Sequence, residues 1–190
     1  MVEAFRSVDR MGFVPDAERA SAYRDRPIGL PEGQTTSQPS LIARMIEVAE
    51  VAPENRVLEV GTGYGFQTAV MAHLASRVFS IERHSLLAEA ARRHLARAGV
   101  GNVRVVVGDG WKGLPDEAPF DAIVVSAAAD QLPAVLGVQL SEGGRLVIPL
   151  ATAGSDDVIL FRKTAGELMR VRLVTPARFV PLVRGEAGPA

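Results

Sequence analysis

The chain contains no cysteine, which removes disulfides, thiolate metal ligands and cysteine nucleophiles at once. It also lacks a surplus of either charge. Lys+Arg number 21 against Asp+Glu 22, so there is no basic footprint of the kind nucleic acid demands, and no nucleic-acid partner is expected. Long apolar runs are missing as well. None approaches a membrane span, and the N-terminus has no signal-peptide core, so no membrane partner is expected and the default is a cytoplasmic protein. Aromatic residues are few, and neither a repeat nor a linker interrupts the chain. A single domain over residues 1–190 is expected, with a monomer as its working state. The three histidines, His73, His84 and His94, show no metal-ligand spacing, and no metal is expected.

What is present is alternation. Leu41, Ile42, Met45, Ile46 and Ala49 recur at helical spacing, so residues 38–50 read as an amphipathic helix. Short Val- and Ile-rich strands follow at Arg56–Val60, Val78–Glu82, Val103–Val107, Ala122–Ser126 and Gly144–Pro149. Helices are expected between them, over roughly 66–76, 84–98 and 130–140. Such alternation predicts an α/β fold, Rossmann-like, with a mostly parallel sheet covered by helices on both faces. Val158–Lys163 and Leu168–Thr175, joined by a turn at Thr164-Ala-Gly-Glu167, predict an antiparallel C-terminal strand pair. The first 35 residues show little periodicity beyond a short helix near Ala4–Val8. Gly185–Ala190 is expected to fray.

The strongest local signal is Arg56-Val-Leu-Glu-Val-Gly-Thr-Gly-Tyr-Gly-Phe66. A strand ends, Gly61, Gly63 and Gly65 follow, with Thr62 inside the turn, and a helix begins. Such a turn lets backbone N–H groups approach a ligand closely. A dinucleotide fingerprint needs glycine where Phe66 stands, so a pyrophosphate site is disfavoured. Glu59 just before the turn suits a cationic ligand. Glu82 ends the second strand, where an acid can accept two ribose hydroxyls. Asp109 ends the third strand in Gly108-Asp-Gly110, within reach of an adenine amine. Taken singly, Glu82 reads as a solvated strand end and Asp109-Gly110 as a turn. Together at successive strand ends they describe a nucleoside site without phosphate, which S-adenosylmethionine fits.

Gly33-Gln-Thr-Thr-Ser-Gln-Pro39 places Thr35, Thr36 and Ser37 side by side with no histidine base near them in sequence. On residues alone Ser37 reads first as a helix N-cap before Pro39. The other reading is a hydroxyl that holds an anion near a helix N-terminus.

These stretches, with Gln67-Thr-Ala-Val70, Gly108-Asp-Gly-Trp111, Ala118-Pro-Phe-Asp-Ala-Ile123, Gly143-Gly-Arg-Leu-Val-Ile-Pro149 and Arg178-Phe-Val-Pro-Leu182, resemble the protein-L-isoaspartate O-methyltransferase family over nearly the whole chain. The resemblance implies methyl transfer from S-adenosylmethionine to the free carboxylate of L-isoaspartyl residues in damaged peptides and proteins, leaving S-adenosyl-L-homocysteine. The ester then cyclises without further catalysis. It implies an active-site role for Ser37, with Thr35 and Thr36 assisting. Cofactor contacts fall at Gly61, Gly63, Glu82, Asp109 and Gly110, with Glu59 and Thr62 beside them, and peptide contacts at Val180 and Leu182. The sequence departs at 28–31, Ile-Gly-Leu-Pro where the family has Leu-Pro-Ile-Gly, and it starts later than the family's usual N-terminal helical stretch. Alternatives are a methyltransferase for one specific peptide or other carboxylate, a nicotinamide oxidoreductase, and a non-catalytic cofactor- or partner-binding module.

Overall fold

The computed structural model describes residues 1–185; beyond Gly185, the segment expected to fray lies outside the described residues. Its centre is a seven-stranded sheet. The strands are β3 (Arg56–Val60), β4 (Arg77–Glu82), β5 (Val103–Val107), β6 (Phe120–Val125), β7 (Leu140–Ala151), β8 (Asp156–Thr164) and β9 (Glu167–Ala177). Their order is β5-β4-β3-β6-β7-β8-β9. The first five run parallel, and β8 and β9 add antiparallel to β7. The chain steps outward from β3 to β5 and then returns to place β6 on the other side of β3. That reversal opens a crevice at the carboxyl ends of β3 and β6.

Strand alternation divides the core into two layers. Val57, Val78, Ala122, Val124 and Val147 face the helices α1 (Val2–Ser7), α2 (Pro39–Val48), α3 (Phe66–Ala72) and α4 (Ser85–Arg97). Leu58, Val60, Ile81, Ile123 and Leu146 face the opposite way, beneath the short α5 (Ala134–Val138) and the loop carrying Trp111 and Leu114. Burial on both faces explains why these strands are runs of Val, Leu and Ile rather than alternating polar and apolar residues.

The expected elements are found, with corrections at their ends. The helix expected over 130–140 is only Ala134–Val138, because Pro133 disfavours helical backbone in the residue before it and β7 takes the chain from Leu140. Strand β7 begins at Leu140 and runs to Ala151, longer than expected, with a register shift opposite β6. Helix α3 stops at Ala72. The turn after β8 has Ala165 at φ 53° and Gly166 at φ 81°, the left-handed pair that suits a two-residue hairpin.

The first 35 residues are also ordered. After α1 come 3₁₀ turns at Arg10–Phe13 and Asp16–Ser21. A small hairpin then pairs β1 (Ile28–Gly29) with β2 (Thr35–Thr36). Its tip, Pro31–Gly33, has Glu32 at φ 61°.

Candidate active site

The floor of the site is the turn after β3. Gly61, Gly63 and Gly65 have φ of 94°, 55° and 93°, conformations that side-chain-bearing residues resist. Bent this way, the turn aims the Gly63 N–H at Glu82, donating to Oε2 at 2.9 Å. The His84 N–H donates to the other oxygen, Oε1, at 3.1 Å. Two backbone donors thus fix the Glu82 carboxylate at the end of β4 while it still lines the cavity.

Glu59 lies one layer below, fully buried. It accepts from Gln67 Nε2 at 3.0 Å, Ser80 Oγ at 2.6 Å and Thr68 Oγ1 at 2.5 Å. Burial pushes its pKa up to about 7, against those three hydrogen bonds, which favour the charged form. The Gln67 amide also donates to Ser126 Oγ at 2.8 Å, and both Gln67 and Ser126 line the cavity. Glu59 therefore touches the site through Gln67.

The hairpin and the C-terminal segment make the walls. Gln34, Thr35, Thr36 and Ser37 stand on one side, and Val180, Pro181, Leu182 and Val183 on the other. Ala128 anchors the C-terminal wall: its N–H donates to Val180 O at 2.8 Å, and Leu182 N–H donates to Ala128 O at 2.7 Å. Gln38, not Ser37, occupies the cap position of α2, and no side chain caps that helix. The hydroxyl of Ser37 is thus not spent as a cap. Thr35 and Ser37 also border a second surface depression, lined further by Gln38, Ser40, Arg44, Thr175 and Arg178.

Of the residues singled out from sequence, Thr35, Thr36, Ser37, Gly61, Thr62, Gly63, Glu82, Gly110, Val180 and Leu182 meet on this one cavity. Glu59 and Asp109 do not reach its wall. Asp109 sits behind Gly110, its Oδ1 accepting from the Trp111 N–H and its Oδ2 from the Gly185 N–H, both at 2.9 Å. It fastens the C-terminal segment to the turn after β5. Trp111 does the same, donating from Nε1 to Leu182 O at 2.9 Å, with the Arg184 guanidinium 3.8 Å from its ring centroid. Phe66, Gln67, Arg83 and Ser126 line the cavity without having been singled out. The signal for Ser126 was its place just past the end of β6, beside the reversal of strand order.

The cavity fits an adenosine carrying a positive group. Its acid, Glu82, is 5% exposed and already oriented, and the hydroxyl residues Thr62 and Ser126 line the cavity beside the glycine turn. Gly110 is required at the wall, because a Cβ there would stand 2.4 Å from Val60 Cγ1. Strand order, glycine turn and strand-end acid together define a Rossmann-like S-adenosylmethionine-dependent methyltransferase. Within that class the assignment is narrower. The chain belongs to the protein-L-isoaspartate(D-aspartate) O-methyltransferase family, whose family model matches residues 1–187. It is 47% identical over 183 residues to a protein-L-isoaspartate O-methyltransferase of Koribacter versatilis, covering 96% of this chain and 82% of that one. A relative of the same name from Methanoculleus marisnigri is 45% identical over 194 residues, covering 100% and 88%. Among solved structures, a protein-L-isoaspartate O-methyltransferase superposes with a TM-score of 0.83 at 32% identity, covering 98% of this chain but 60% of that one. A Plasmodium falciparum structure in complex with S-adenosyl-L-homocysteine gives 0.81 at 26% identity, covering 95% and 88%.

Proposed function

We propose that this protein transfers a methyl group from S-adenosylmethionine to the free carboxylate of L-isoaspartyl residues in damaged peptides and proteins, the first step of their repair. The observation that carries it is the meeting of Ser37 and Glu82 on one cavity. Glu82 would hold the ribose hydroxyls, and the backbone of Gly61–Gly63 the amino-acid end. When bound, the cofactor supplies a methyl group activated by a positive sulfur.

The chain's own task is alignment. A carboxylate acceptor arrives ionised at neutral pH, because carboxyl pKa values lie near 4, so no general base is needed. Fixing two reactants in line removes a large share of the barrier. Ser37 donates a neutral hydrogen bond to the acceptor, worth roughly 1.5–3 kcal/mol to a charged group. An arginine at that place would form a bidentate pair and dull the nucleophile. Thr35 and Thr36 supply further hydroxyls, while Val180 and Leu182 flank the acceptor's backbone. The peptide would lie along the second depression, which shares Thr35 and Ser37 with the cofactor cavity.

Both core layers lie on one sheet. This supports a single domain, and a monomer in the cytoplasm is its proposed state and location. Among the described residues, no helix is long and apolar enough to cross a membrane. Labelled methyl transfer to an isoaspartyl peptide beside its normal aspartyl twin tests the reaction. Label on the isoaspartyl peptide alone is expected; equal label on both, or none on either, overturns it.

A further inference from the structure

Arg10 stands outside the machinery described so far, yet it is among the most buried side chains, 1% exposed. The 3₁₀ turn Arg10–Phe13 delivers its guanidinium to the back of two cavity-wall residues. Nη2 donates to the Ser37 carbonyl at 2.9 Å, and the guanidinium carbon lies 5.2 Å from the Phe66 ring centroid. Among the described residues, Nε and Nη1 have no hydrogen-bond partner. Asp25 is the acid that acts on it from a distance, but the oxygens of Asp25 are taken by the Ser40 N–H at 2.9 Å and the Ser40 hydroxyl at 2.7 Å.

A buried guanidinium without an ion-pair partner is costly to keep. Arginine does not escape that cost by losing its proton, since its intrinsic pKa is too high. The charge therefore projects a positive field through Ser37 and Phe66 into the cavity, and the low-dielectric wall screens it little. The anion this site handles is the methyl acceptor.

We propose that Arg10 is a positioning and selectivity residue for the acceptor carboxylate, a role that rests on the methyl-transfer reading above. It fixes the Ser37 backbone through the carbonyl, and its field favours an anionic acceptor over a neutral one. Placed behind the wall, the cation attracts the carboxylate without forming the bidentate pair that would occupy the attacking oxygens.

The test is calorimetry on the S-adenosyl-L-homocysteine-loaded protein with two peptides of one sequence, isoaspartyl and its neutral isoasparaginyl counterpart. The wild-type protein should prefer the carboxylate. Arg10→Met should lower isoaspartyl affinity on the order of tenfold, isoasparaginyl affinity far less through the lost bond to Ser37, and S-adenosyl-L-homocysteine affinity hardly at all, so the preference collapses. Arg10→Gln, which keeps an amide donor but no charge, should show the same collapse and decides the matter should the methionine variant not fold. Arg10→Lys should retain the preference. Equal weakening of both peptides in the neutral variants would mean that Arg10 only braces the loop, and would overturn the proposal. A wild-type protein that methylates the isoaspartyl peptide but shows no carboxylate preference overturns this proposal alone. No methylation by the wild type overturns the functional reading and this one with it.

Discussion

Glu59 shows how one side chain can tie stability to pH. In an unfolded chain its carboxyl titrates near 4.5, and in the fold near 7. Between those values the folded state binds more protons, so folding becomes less favourable as pH rises and levels off above about 7. The span corresponds to about 3 kcal/mol. Glu59→Gln, neutral throughout, should gain about that much stability relative to wild type between pH 4.5 and 8, read from urea unfolding at each pH. An unchanged difference across that range would mean that Glu59 is ionised in the fold. Glu82 and Ser37 should separate the two halves of the reaction. Glu82→Ala should weaken S-adenosyl-L-homocysteine binding roughly tenfold or more, since charged hydrogen bonds are lost. Ser37→Ala should instead lower methyl transfer with little change in that affinity. Calorimetry giving the reverse pattern would remove the holding role of Ser37. Sequence alone suggests that Glu59 serves a cationic ligand, but the fold brings three side-chain donors to its carboxylate instead. It lies inside a strand buried on both faces, on the side of Val57, under the first turn of α3, where Gln67 and Thr68 meet it.

At the level of elements, local sequence was sufficient where burial is uniform and insufficient where distant segments meet. Strands β3 to β6 are short runs rich in Val and other apolar residues, and their pattern declares them. Ala128 pairs with the C-terminal segment and Ala129 with β7, contacts that no local window contains. The 3₁₀ turn that carries Arg10 has neither period, and nothing in the residues around it marks a buried cation. The connection between β5 and β6 offers a test of such long-range fastening. Gly113 has φ 60°, and a Cβ there would stand 2.3 Å from the Gln139 Oε1. That amide accepts from the Leu114 N–H and donates to Lys112 O. Gly113→Ala should cost about 2–3 kcal/mol, from the left-handed backbone and the displaced hydrogen bonds. A lowered urea midpoint with unchanged slope would show it, and an unshifted midpoint would contradict it.

For the molecule as a whole, the cofactor site spans the carboxyl ends of β3, β4 and β6 and closes against the C-terminal segment, so ligand binding should stabilise the entire fold. S-adenosyl-L-homocysteine at about 100 times its dissociation constant should add about 2.7 kcal/mol, a rise in Tm of roughly 5–10 °C for a chain of this size. NAD at the same concentration should leave Tm unchanged; a shift with NAD alone would favour the oxidoreductase alternative. The parallel sheet, its antiparallel end and the site's general place followed from the alternation of elements and the glycine turn, whereas the strand order is set by the fold. The bond from the Gly185 N–H to Asp109 Oδ2 joins residues some seventy positions apart and lies outside any local window.

The wall shared by Thr35 and Ser37 has an outcome for kinetics. With the nucleoside in the first cavity and the polypeptide on the depression that adjoins it at Thr35 and Ser37, as proposed, neither guest would have to wait for the other. Initial-rate plots should intersect in the manner of random addition, with S-adenosyl-L-homocysteine competing against the methyl donor and not against the peptide.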